Sequence, residues 1–576
     1  MKPAISIGIQ DFEKLRASQS FYIDKTGLIR EWWEKQDEVT LITRPRRFGK
    51  TLNLDMMKCF FSSQFAGRGD LFEGLFIWSQ EEYRKIQGTW PVIFLSFAGV
   101  KANTIRGAKD GIINAIANAY DAHAYLKDSQ VLSQADIENF DMFHNYSIEP
   151  SPAQGIRDFV VAASLQKLSS YLERYYGKKV LIFLDEYDTP LQEAYVFGYW
   201  NELTIFIRQL FNLTFKDNKK LQRALLTGIT RVSKESIFSD LNNLMVVTTT
   251  SGEYESAFGF TEAEVFAALE EREMSAHKEQ VKNWYDGFTF GKVKDIYNPW
   301  SITMFLRTGE YGTYWADSSS NALVSELIRQ GTPELKMQME DLLQGNCLEM
   351  ILDEQVIFEQ LKRTKGAIWS LLVASGYLKP VSRTFQMDTG KFCYRLTVTN
   401  YETMLMFRKM ISDWFPEDCS SYGDFQKALL QGDLRYMNYF MSEIAKVMFS
   451  SFDSGNHPSG ETQPERFYHG FVLGLIVDLT GRYHIRSNRE SGFGRYDVMM
   501  EPKNQSDPAI VMEFKVQDED KEKELEDTVR NALRQIETKE YDTELMARGI
   551  LKGRIRHYGF AFRGKKVLIG EQMKDD

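Results

Sequence analysis

The segment VTLITRPRRFGKT, residues 39–51, carries an apolar run directly into a glycine, a lysine and a threonine. Its first five residues are typical of a buried parallel strand, and the residues after Thr51 predict a helix. A strand, a short loop and a helix form the context that a phosphate-binding loop requires. Gly49 would let the backbone approach a phosphate, Lys50 would reach the β- and γ-phosphates, and Thr51 would hold Mg²⁺. We therefore expect a nucleotide at this loop.

Arg44 departs from the usual sequence of such a loop. The general pattern has a glycine five residues before Gly49, where this chain has Arg44. An ordinary strand–loop–helix turn that happens to read Gly-Lys-Thr therefore stays open on this segment alone.

A second segment, KVLIFLDEYDTPL (residues 179–191), supports the nucleotide interpretation. It predicts a buried strand that ends in Asp185 and Glu186. An ATPase needs one acid here to hold Mg²⁺ through water and a second to polarise the attacking water, whereas solvated acids at a strand end are the alternative. The strand RALLTGIT (residues 223–230) precedes Arg231, which would contact phosphate or a neighbouring residue, or would be a solvated loop arginine. Asp188 and Asp24 could lie near the nucleotide, although acids in such loops are usually solvated.

The region 39–250 alternates short apolar runs with helical stretches, which predicts an α/β fold with helices on both faces of a parallel sheet. The polar helical stretch 105–170 is interpreted as an insertion. From about 255 to 345 the pattern turns helical, as in a lid. Residues 365–415 predict a helix, a hairpin with its turn at Asp388-Thr389-Gly390 and a second helix, which suits a winged-helix-like module. We place domains at 1–250 (ATPase core), 251–345 (helical lid), 346–440 (helical and winged-helix-like region) and 441–576 (C-terminal domain).

Charged residues interrupt a predicted apolar strand near the C-terminal end. AIVMEFKV contains Glu513 and Lys515, and the preceding strand YDVMMEP begins near Asp497. Strand residues two apart point to the same face, so Glu513 and Lys515 share a face and Phe514 lies on the other. Either these charges form a structural ion pair on a half-exposed strand, or the carboxylates bind a divalent cation beside a lysine that acts on water or phosphate.

Further charged residues surround this pair of strands. Glu465 begins the predicted helix ERFYHGFVLGLIVDL and could deliver another carboxylate. The basic residues that suit a phosphate backbone are Arg482, Arg486, Arg489, Arg495, Arg554, Arg556, Arg563 and Lys565.

The composition restricts the class of protein. A net charge of −10 disfavours a purely electrostatic nucleic-acid coat, although a basic patch can sit on an acidic body. The four cysteines have no metal-ligand or redox-motif spacing, which fits a reducing compartment. No apolar run is long enough for a transmembrane helix, and the N-terminus lacks the apolar region of a signal peptide. We expect a cytoplasmic protein without a membrane partner.

Several long motifs occur in a fixed order: FYIDKTGLI, TRPRRFGKT, VLIFLDEYDTPL, LLTGITRVSKESIFSDLNNL, NWYDGFTFG with IYNPWSI, ERFYHGFVLGL, SNRESGFGRYDVMM and VMEFKV. With these motifs the chain resembles the bacterial AAA-ATPase-like family that carries a C-terminal PD-(D/E)XK nuclease domain. The resemblance covers nearly the whole chain and is weakest at 100–170 and 330–440. That family also has RPRRFGK in its phosphate loop, so the resemblance makes Arg44 a family feature.

The resemblance implies a P-loop ATPase domain of the ASCE/AAA-like class with a helical lid and a winged-helix-like region, followed by a restriction-endonuclease-like α/β domain. It implies Thr51 and Asp185 at Mg²⁺ and Glu186 as the catalytic acid. The nucleotide-binding residues are expected to be Arg46, Arg47, Phe48, Gly49, Lys50, Thr51, Asp185 and Arg231. In the nuclease domain it implies Asp497 and Glu513 as metal ligands, with Glu465, Lys515 and Gln535 also in the active site.

Two classes of function follow. The first is an ATP-binding and ATP-hydrolysing protein coupled to a nuclease that cleaves phosphodiester bonds with Mg²⁺ or Mn²⁺. DNA is the expected substrate, although nothing in the sequence separates DNA from RNA. The alternative is an ATP-dependent switch whose nuclease-like domain grips nucleic acid without cutting it. Either class is compatible with a homo-oligomer.

Overall fold

The computed structural model describes residues 2–148, 156–231, 237–238, 241–317, 322–329, 333–343, 345–352, 366–412, 422–448, 472, 475–476, 479, 481–491, 494–504, 506–518, 521–563 and 566–572. Its packing divides the chain into two compact units. The first unit comprises Met1–Leu327 and Cys347–Met404, and the second comprises Ile328–Asn346 and Leu405–Asp576.

The described strands are β1 (Val39–Thr43), β2 (Val92–Ser96), β3 (Val180–Asp185), β4 (Leu221–Gly228), β5 (Leu244–Val247), β6 (Phe260–Thr261), β7 (Phe288–Phe290), β8 (Val293–Tyr297), β9 (Leu348–Ile351), β10 (Leu378–Gln386), β11 (Lys391–Val398), β12 (Tyr483–Ser491), β13 (Gly494–Pro502), β14 (Ala509–Val516), β15 (Ile555–Arg563) and β16 (Lys566–Glu571).

The described α-helices are α1 (Phe12–Ala17), α2 (Gly27–Lys35), α3 (Lys50–Phe61), α4 (Glu81–Arg84), α5 (Ile105–Asp121), α6 (Gln134–Ile148), α7 (Asp158–Tyr176), α8 (Thr189–Phe197), α9 (Trp200–Phe211), α10 (Glu262–Glu271), α11 (Lys278–Tyr285), α12 (Pro299–Thr308), α13 (Tyr314–Asp317), α14 (Ala322–Arg329), α15 (Pro333–Leu343), α16 (Ala367–Ala374), α17 (Tyr401–Ser412), α18 (Tyr422–Gln431), α19 (Leu434–Met448), α20 (Leu525–Thr538) and α21 (Thr543–Ala547).

A parallel sheet of five strands organises the first unit, in the order β2-β3-β4-β1-β5. The four apolar runs at 39–43, 91–97, 179–185 and 223–230 predict four of these strands, and the structure confirms them. The fifth strand, β5, was not predicted. The carboxyl ends of parallel strands lie at one edge of the sheet, so the loop after β1 and the ends of β3 and β4 meet there.

Helices cover both faces of this sheet, as the α/β pattern predicts. Along β3, Ile182 and Leu184 join a large apolar core with α5, α7 and α9. Phe183 lies on the opposite face, where its ring centroid is 5.6 Å from that of Trp32 in α2 and 6.4 Å from that of Phe61 in α3. The mixed α/β architecture of the first unit is therefore confirmed.

The stretch 105–170 forms part of the main fold, which differs from its interpretation as an insertion. It is helical, as predicted, but α5 and α7 supply buried residues such as Ile112 and Leu168 to the core beneath the sheet. One side of each of these long helices is polar and faces solvent, which gives the segment its polar composition. The other side is apolar and is as deeply buried as the strands.

The lid region contains a small antiparallel sheet besides its helices. Its strand order is β6-β8-β7, and β7 and β8 form a tight hairpin. Gly291 in the turn has a φ of 56°, which glycine adopts without strain. The lid region therefore contains the predicted helices together with a short sheet that the helical prediction did not include. These strands have two to five residues, which is too short to show the alternation that identifies a strand.

The winged-helix-like order is confirmed in the part of the chain from 366 to 412. α16 leads into the β10–β11 hairpin, whose turn contains Asp388, Thr389 and Gly390, and α17 follows. β9 adds a third antiparallel strand against β11.

The second unit is built on a mixed sheet in the order β12-β13-β14-β15-β16, in which only β14 and β15 run parallel among these described strands. One core unites Phe514 of β14 and Phe560 of β15 with Phe425 of α18 and Phe440 of α19. Because α18 precedes residue 441, the packed core of this unit starts upstream of the predicted domain boundary.

None of the helices in the described ranges is both long and apolar enough to cross a lipid bilayer.

Candidate functional site

The phosphate loop of the first unit joins the end of β1 to the start of α3. Gly49 has a φ of 80° and Arg47 a φ of 63°. A Cβ atom on Gly49 would meet nothing within 4 Å, so its left-handed backbone, and not lack of space, calls for glycine there. The amide groups of the first turn of α3, which begins at Lys50, have no partner within the helix and face the loop. This geometry suits an anion.

Lys50 and Thr51 lie at the centre of this edge of the sheet. The Lys50 side chain is only 4% exposed, and its Nζ donates to the carbonyl oxygens of Arg44 (3.1 Å) and Pro45 (3.0 Å). The same Nζ is 3.7 Å from Oε1 of Glu186. Thr51 Oγ1 donates to Asp185 Oδ2 at 2.7 Å. The structure therefore brings together the lysine, the hydroxyl and both strand-end acids that the sequence singles out.

Asp185 is fully buried between two threonines. Thr227 of β4 donates to its Oδ1 at 2.7 Å, opposite the bond from Thr51. Burial raises the pKa of Asp185 and the nearby Glu186 raises it further, while the two hydroxyl groups and Lys50 oppose this. Sequence reasoning passed over Thr227, although a hydroxyl in an otherwise apolar buried strand is a signal that could have identified it.

Glu186 occupies an unusual backbone conformation for an acid. Its φ is 52°, a left-handed conformation that is uncommon for a residue other than glycine. Its Oε2 accepts a hydrogen bond of 3.1 Å from Thr189 Oγ1. The side chain is partly exposed, so it can meet water at the mouth of the site while Asp185 stays buried.

Arg44 is turned away from the phosphate side of the loop. Its guanidinium donates to four backbone carbonyl oxygens, those of Thr43 and Thr248 at 2.9 Å and those of Glu253 and Tyr254 at 3.2 Å. The group stacks over the ring of Phe290 at 4.6 Å. Burial lowers the pKa of Arg44, while the nearby acids Glu31 and Glu255 raise it. The arginine at the usual glycine position therefore fastens the loop to the segment after β5.

Asp188 is buried, not solvated as loop acids usually are. Its Oδ2 accepts hydrogen bonds from the amides of Ile229 (3.1 Å) and Thr230 (2.9 Å), from Thr230 Oγ1 (2.9 Å) and from Gln192 Nε2 (3.0 Å). Its Oδ1 has no hydrogen-bond partner among the described residues. Burial raises the pKa of Asp188, as does Glu186. Asp188 thus ties the end of β3 to the end of β4. Asp24, the other loop acid, accepts from the amide of Thr26 in a local turn.

A cleft of about 700 Å³ opens over the phosphate loop and is lined by Arg46, Arg47, Phe48, Gly49, Lys50, Thr51 and Glu186 together with residues of the N-terminal segment, α8 and α12. The Arg47 guanidinium stacks over Trp300 at 4.8 Å, and Arg46 Nη2 donates to Gln192 Oε1 at 3.3 Å. Phe48 is 1% exposed and packs on Phe288, so it anchors the loop.

Arg231 lies outside this group. It follows Thr230 at the end of the described segment and is partly exposed. It is not among the described residues that line the cleft.

The second unit brings Asp497, Glu513 and Lys515 together. Val498 pairs with Met512 across β13 and β14, which places Asp497 and Glu513 one residue beyond this pair on neighbouring strands. The amide of Phe514 donates to Asp497 Oδ2 at 2.8 Å, and Lys515 Nζ is 3.7 Å from Glu513 Oε1. Burial raises the pKa of Asp497 to about 6, and the Phe514 amide and Lys515 oppose this.

The two faces of β14 carry different chemistry, as the alternation predicts. Phe514 lies in the core against Phe560, with ring centroids 4.9 Å apart. The opposite face carries Glu513, and Gln535 of α20 donates from Nε2 to its Oε1. Gln535 also donates to the hydroxyl of Tyr541 at 3.1 Å. The prediction that Glu513 and Phe514 face opposite sides is confirmed.

Some of the surrounding basic residues are engaged within the protein. Arg482 donates to Asp507 at 2.6 Å, and Arg486 lies between Glu501 and Glu544. These two arginines therefore stabilise the sheet edge. They are less available to bind phosphate than arginines without an acidic partner would be. The side chains of Arg489 and Arg495, and the whole of Glu465 and Lys565, lie outside the described residues.

The donor set of the second unit is small. Within the described ranges no group of three or more His, Cys, Asp and Glu side chains is arranged to hold a metal ion. Asp497, which is partly buried, and Glu513, which is buried, form a pair of carboxylates on neighbouring strands. Such a pair suits Mg²⁺, which commonly takes one or two carboxylates and completes its octahedron with water and substrate phosphate.

Two family models match this chain. Residues 6–238 match the AAA-ATPase-like family of predicted AAA-ATPases, and residues 463–572 match the PD-(D/E)XK nuclease superfamily. The resemblance predicted from the motifs is confirmed for both domains. An "Uncharacterized protein in vnfD 5'region" of Azotobacter chroococcum mcd 1 is 27% identical over 373 residues, which cover 63% of this chain and 64% of that protein.

Proposed function

We propose that this chain, in which an AAA-ATPase-like domain precedes a PD-(D/E)XK nuclease superfamily domain, binds and hydrolyses ATP and cleaves phosphodiester bonds of DNA with a divalent metal ion. The observation that carries the proposal is the face of β14, where Glu513 and Lys515 stand side by side and Asp497 adjoins them on β13. Two carboxylates and a lysine grouped at an otherwise apolar strand support a metal and phosphate site, because charges are costly to bury unless they are paired or bind a metal.

The first unit supports nucleotide chemistry by its geometry. Lys50 and the α3 amides face the cleft over the phosphate loop and suit the phosphates of ATP. Thr51 and Asp185, joined by a 2.7 Å hydrogen bond, are the residues that would hold Mg²⁺. Glu186 is the base that would orient the attacking water, because it is the partly exposed acid next to Lys50.

In the second unit Asp497 and Glu513 would hold the metal ion, which would supply Lewis-acid activation of water and of the scissile phosphate. Lys515 stands 3.7 Å from Glu513, where its ammonium group can stabilise negative charge that develops on phosphate. Gln535 fixes the Glu513 carboxylate by hydrogen bonding, and Tyr541 in turn orients Gln535. These contacts hold the carboxylate in one rotamer before substrate arrives.

Cleavage assays on linear, circular and single-stranded DNA test the nuclease part. The wild-type chain is expected to cut at least one of these substrates with Mg²⁺ or Mn²⁺ and none in EDTA. The Glu513→Ala/Lys515→Ala variant should lose at least about a hundredfold in rate, since it removes both a metal ligand and the phosphate-facing cation.

The matched control is Asp518→Ala/Lys521→Ala, which removes an acid and a lysine 2.8 Å apart on the surface of the same unit. It should cut like the wild type. Cleavage that survives in the Glu513/Lys515 variant would refute the nuclease assignment. DNA binding without cleavage by the wild type would favour the alternative, an ATP-dependent switch that grips nucleic acid.

ATP hydrolysis is tested separately. Lys50→Ala should abolish ATP binding, and Glu186→Gln should keep binding but lose hydrolysis, because the amide cannot polarise water. Lys85→Ala, which removes a lysine that is 70% exposed in the same unit, is the control. Normal ATP turnover in Glu186→Gln would remove Glu186 from the proposed chemistry.

A further inference from the structure

The β10–β11 hairpin, residues 378–398, extends beyond the strand that supports it. Within the described residues β9 pairs with Cys393–Leu396 of β11, and no third described strand lies beside the outer part of the hairpin, which there is a two-stranded ribbon. Every residue from Val381 to Phe392 is exposed. A two-stranded ribbon is marginally stable by itself, and apolar residues on it weaken solubility without adding to a core.

The outer part of this hairpin nevertheless carries large apolar side chains. Phe385 is 47% exposed, Phe392 39% and Met387, in the turn, 86%. Phe385 and Phe392 are cross-strand partners whose ring centroids lie 5.1 Å apart. The two rings therefore form one aromatic surface on one face of the ribbon, with the methionine at its tip.

Cations lie on both faces of the hairpin. Arg383 lies on the same face and its guanidinium stacks over the Phe392 ring at 4.8 Å. The register places Lys391 and Arg395 on the opposite face, because they pair with residues one step from those of the aromatic face. The hairpin thus has four cations, Lys379, Arg383, Lys391 and Arg395, against one acid, Asp388, in a chain whose net charge is −10.

We propose that the outer β10–β11 hairpin is a nucleic-acid contact, in which Phe385 and Phe392 stack on an unpaired or unstacked base, Arg383 on the same face binds a neighbouring phosphate, and Lys391 and Arg395 on the other face attract the phosphate backbone electrostatically. Aromatic rings beside cations are the combination that binds a nucleic-acid strand irrespective of sequence. A ribbon with an apolar tip also has the dimensions to enter a groove of duplex DNA. This inference rests on the proposed function for its ligand, and it adds a binding surface in the first unit whose residues are not among those that line the cleft over the phosphate loop.

Binding to fluorescently labelled single-stranded and duplex oligonucleotides, measured in EDTA with the full chain, tests the inference without cleavage. Phe385→Ala/Phe392→Ala should weaken binding by about tenfold or more on the form of DNA that presents free bases, because each stacked base contributes to affinity. Arg383→Gln/Lys391→Gln/Arg395→Gln should weaken binding to both forms and reduce the salt dependence of log Kd by about 2 units.

The matched control is Phe159→Ala, which removes a ring that is 72% exposed elsewhere in the first unit. It should bind like the wild type. If the Phe385/Phe392 variant binds both forms within twofold of the wild type, the proposal is overturned. A change in the self-association of these variants with no change in DNA affinity would also overturn it, in favour of a protein-docking face.

Photo-crosslinking gives a second measurement that does not depend on substitutions. A 5-bromouracil oligonucleotide irradiated with the wild-type chain should crosslink to the peptide that contains Phe385 or Phe392. Crosslinks confined to other peptides would overturn the proposal. The failure of this inference and the failure of the proposed function give different results. A chain that crosslinks to DNA through the hairpin but never cuts DNA would refute the nuclease activity and support the hairpin contact.

Discussion

At the scale of single residues, Asp188 shows how surroundings determine the role of an acid. Four donors converge on its Oδ2, and three of them belong to Ile229 and Thr230 at the end of β4. Asp188→Ala leaves these buried donors without an acceptor, so we expect the free energy of unfolding to fall by at least about 3 kcal/mol. Asp188→Asn keeps a carbonyl oxygen and should lose less. Urea denaturation followed by tryptophan fluorescence measures both effects.

The control for this prediction is Asp128→Ala, at an exposed position in the same unit. It should change stability by less than about 0.5 kcal/mol. If Asp188→Ala were as stable as this control, the four bonds would contribute nothing, and the link between β3 and β4 would have to reside elsewhere.

Arg44 leads to a prediction opposite to what a motif comparison suggests. Arg44→Gly restores the glycine of the general phosphate-loop pattern, yet it removes a guanidinium that reaches Thr248, Glu253 and Tyr254. We expect a loss of about 3 kcal/mol or more in stability and a raised KM for ATP. Arg44→Lys should not restore either property, because one ammonium group cannot match four carbonyl oxygens with planar geometry.

Thermal unfolding and ATPase kinetics together check the Arg44 prediction. Arg106→Ala, at a position where the side chain is 72% exposed, is the matched control. An Arg44→Gly protein that matches the wild type in both measurements would show that the arginine is merely tolerated in the loop.

The sequence predicted chemistry best where a residue sits at the end of a recognisable strand. Lys50, Thr51, Asp185 and Glu186 lie within contact of one another because three adjacent strands end at one edge. The buried position of Arg44 could not be read from its neighbours, since its four acceptors come mostly from a segment about 200 residues later. Backbone carbonyl groups carry no sequence signal, so their use as ligands appears only in the fold.

At the scale of elements, length decides how well the sequence predicts the structure. The strands β1 to β4 have five to eight residues each, most of them buried, and the apolar pattern identified each strand. The short strands β6 to β8 have too few residues to show an alternation of apolar and polar side chains. The helical pattern of the surrounding sequence therefore gave no sign of them. The β10–β11 hairpin was identified by its turn residues, whereas the exposure of its outer part and the limited described pairing with β9 became visible only in the structure.

His123 connects two such elements and makes the stability of the first unit depend on pH. It follows α5, and its Nε2 donates to the carbonyl oxygen of Val92 in β2 at 3.1 Å. Its Nδ1 lies 3.1 Å from the Tyr125 hydroxyl, which fits an uncharged ring. Burial lowers the pKa of His123 to about 4, although the bond to Val92 opposes this.

Because the unfolded chain has a His pKa of about 6.5, it takes up a proton before the folded chain does as pH falls. The stability that His123 contributes is therefore complete above about pH 6.5 and is lost progressively toward pH 4, with about 2 kcal/mol lost at pH 5. Urea denaturation at pH 7.5 and pH 5 should show this loss in the wild type and a smaller one in His123→Gln. His277→Gln, in the same unit, should retain the wild-type dependence, and equal slopes in all three proteins would contradict the prediction.

At the scale of the whole molecule, the chain passes between its two units three times, at 327/328, 346/347 and 404/405. Two of these passages lie inside helices, α14 and α17, and not in flexible linkers. Rigid secondary elements are among the features that can carry coupling between sites, so whether the two proposed activities are coupled is a question for experiment.

We expect ATP to change the rate of DNA cleavage by about fivefold or more, which is the usual range for coupled sites. Lys50→Ala should keep the basal cleavage rate and lose the response to ATP, whereas Lys85→Ala should retain both. A non-hydrolysable ATP analogue shows whether ATP binding or ATP hydrolysis changes the cleavage rate. A full response to the analogue means that binding alone is enough. No response means that hydrolysis is required. If the wild type cleaved equally with and without ATP, the two units would work independently, and α14 and α17 would be connections without a signalling role.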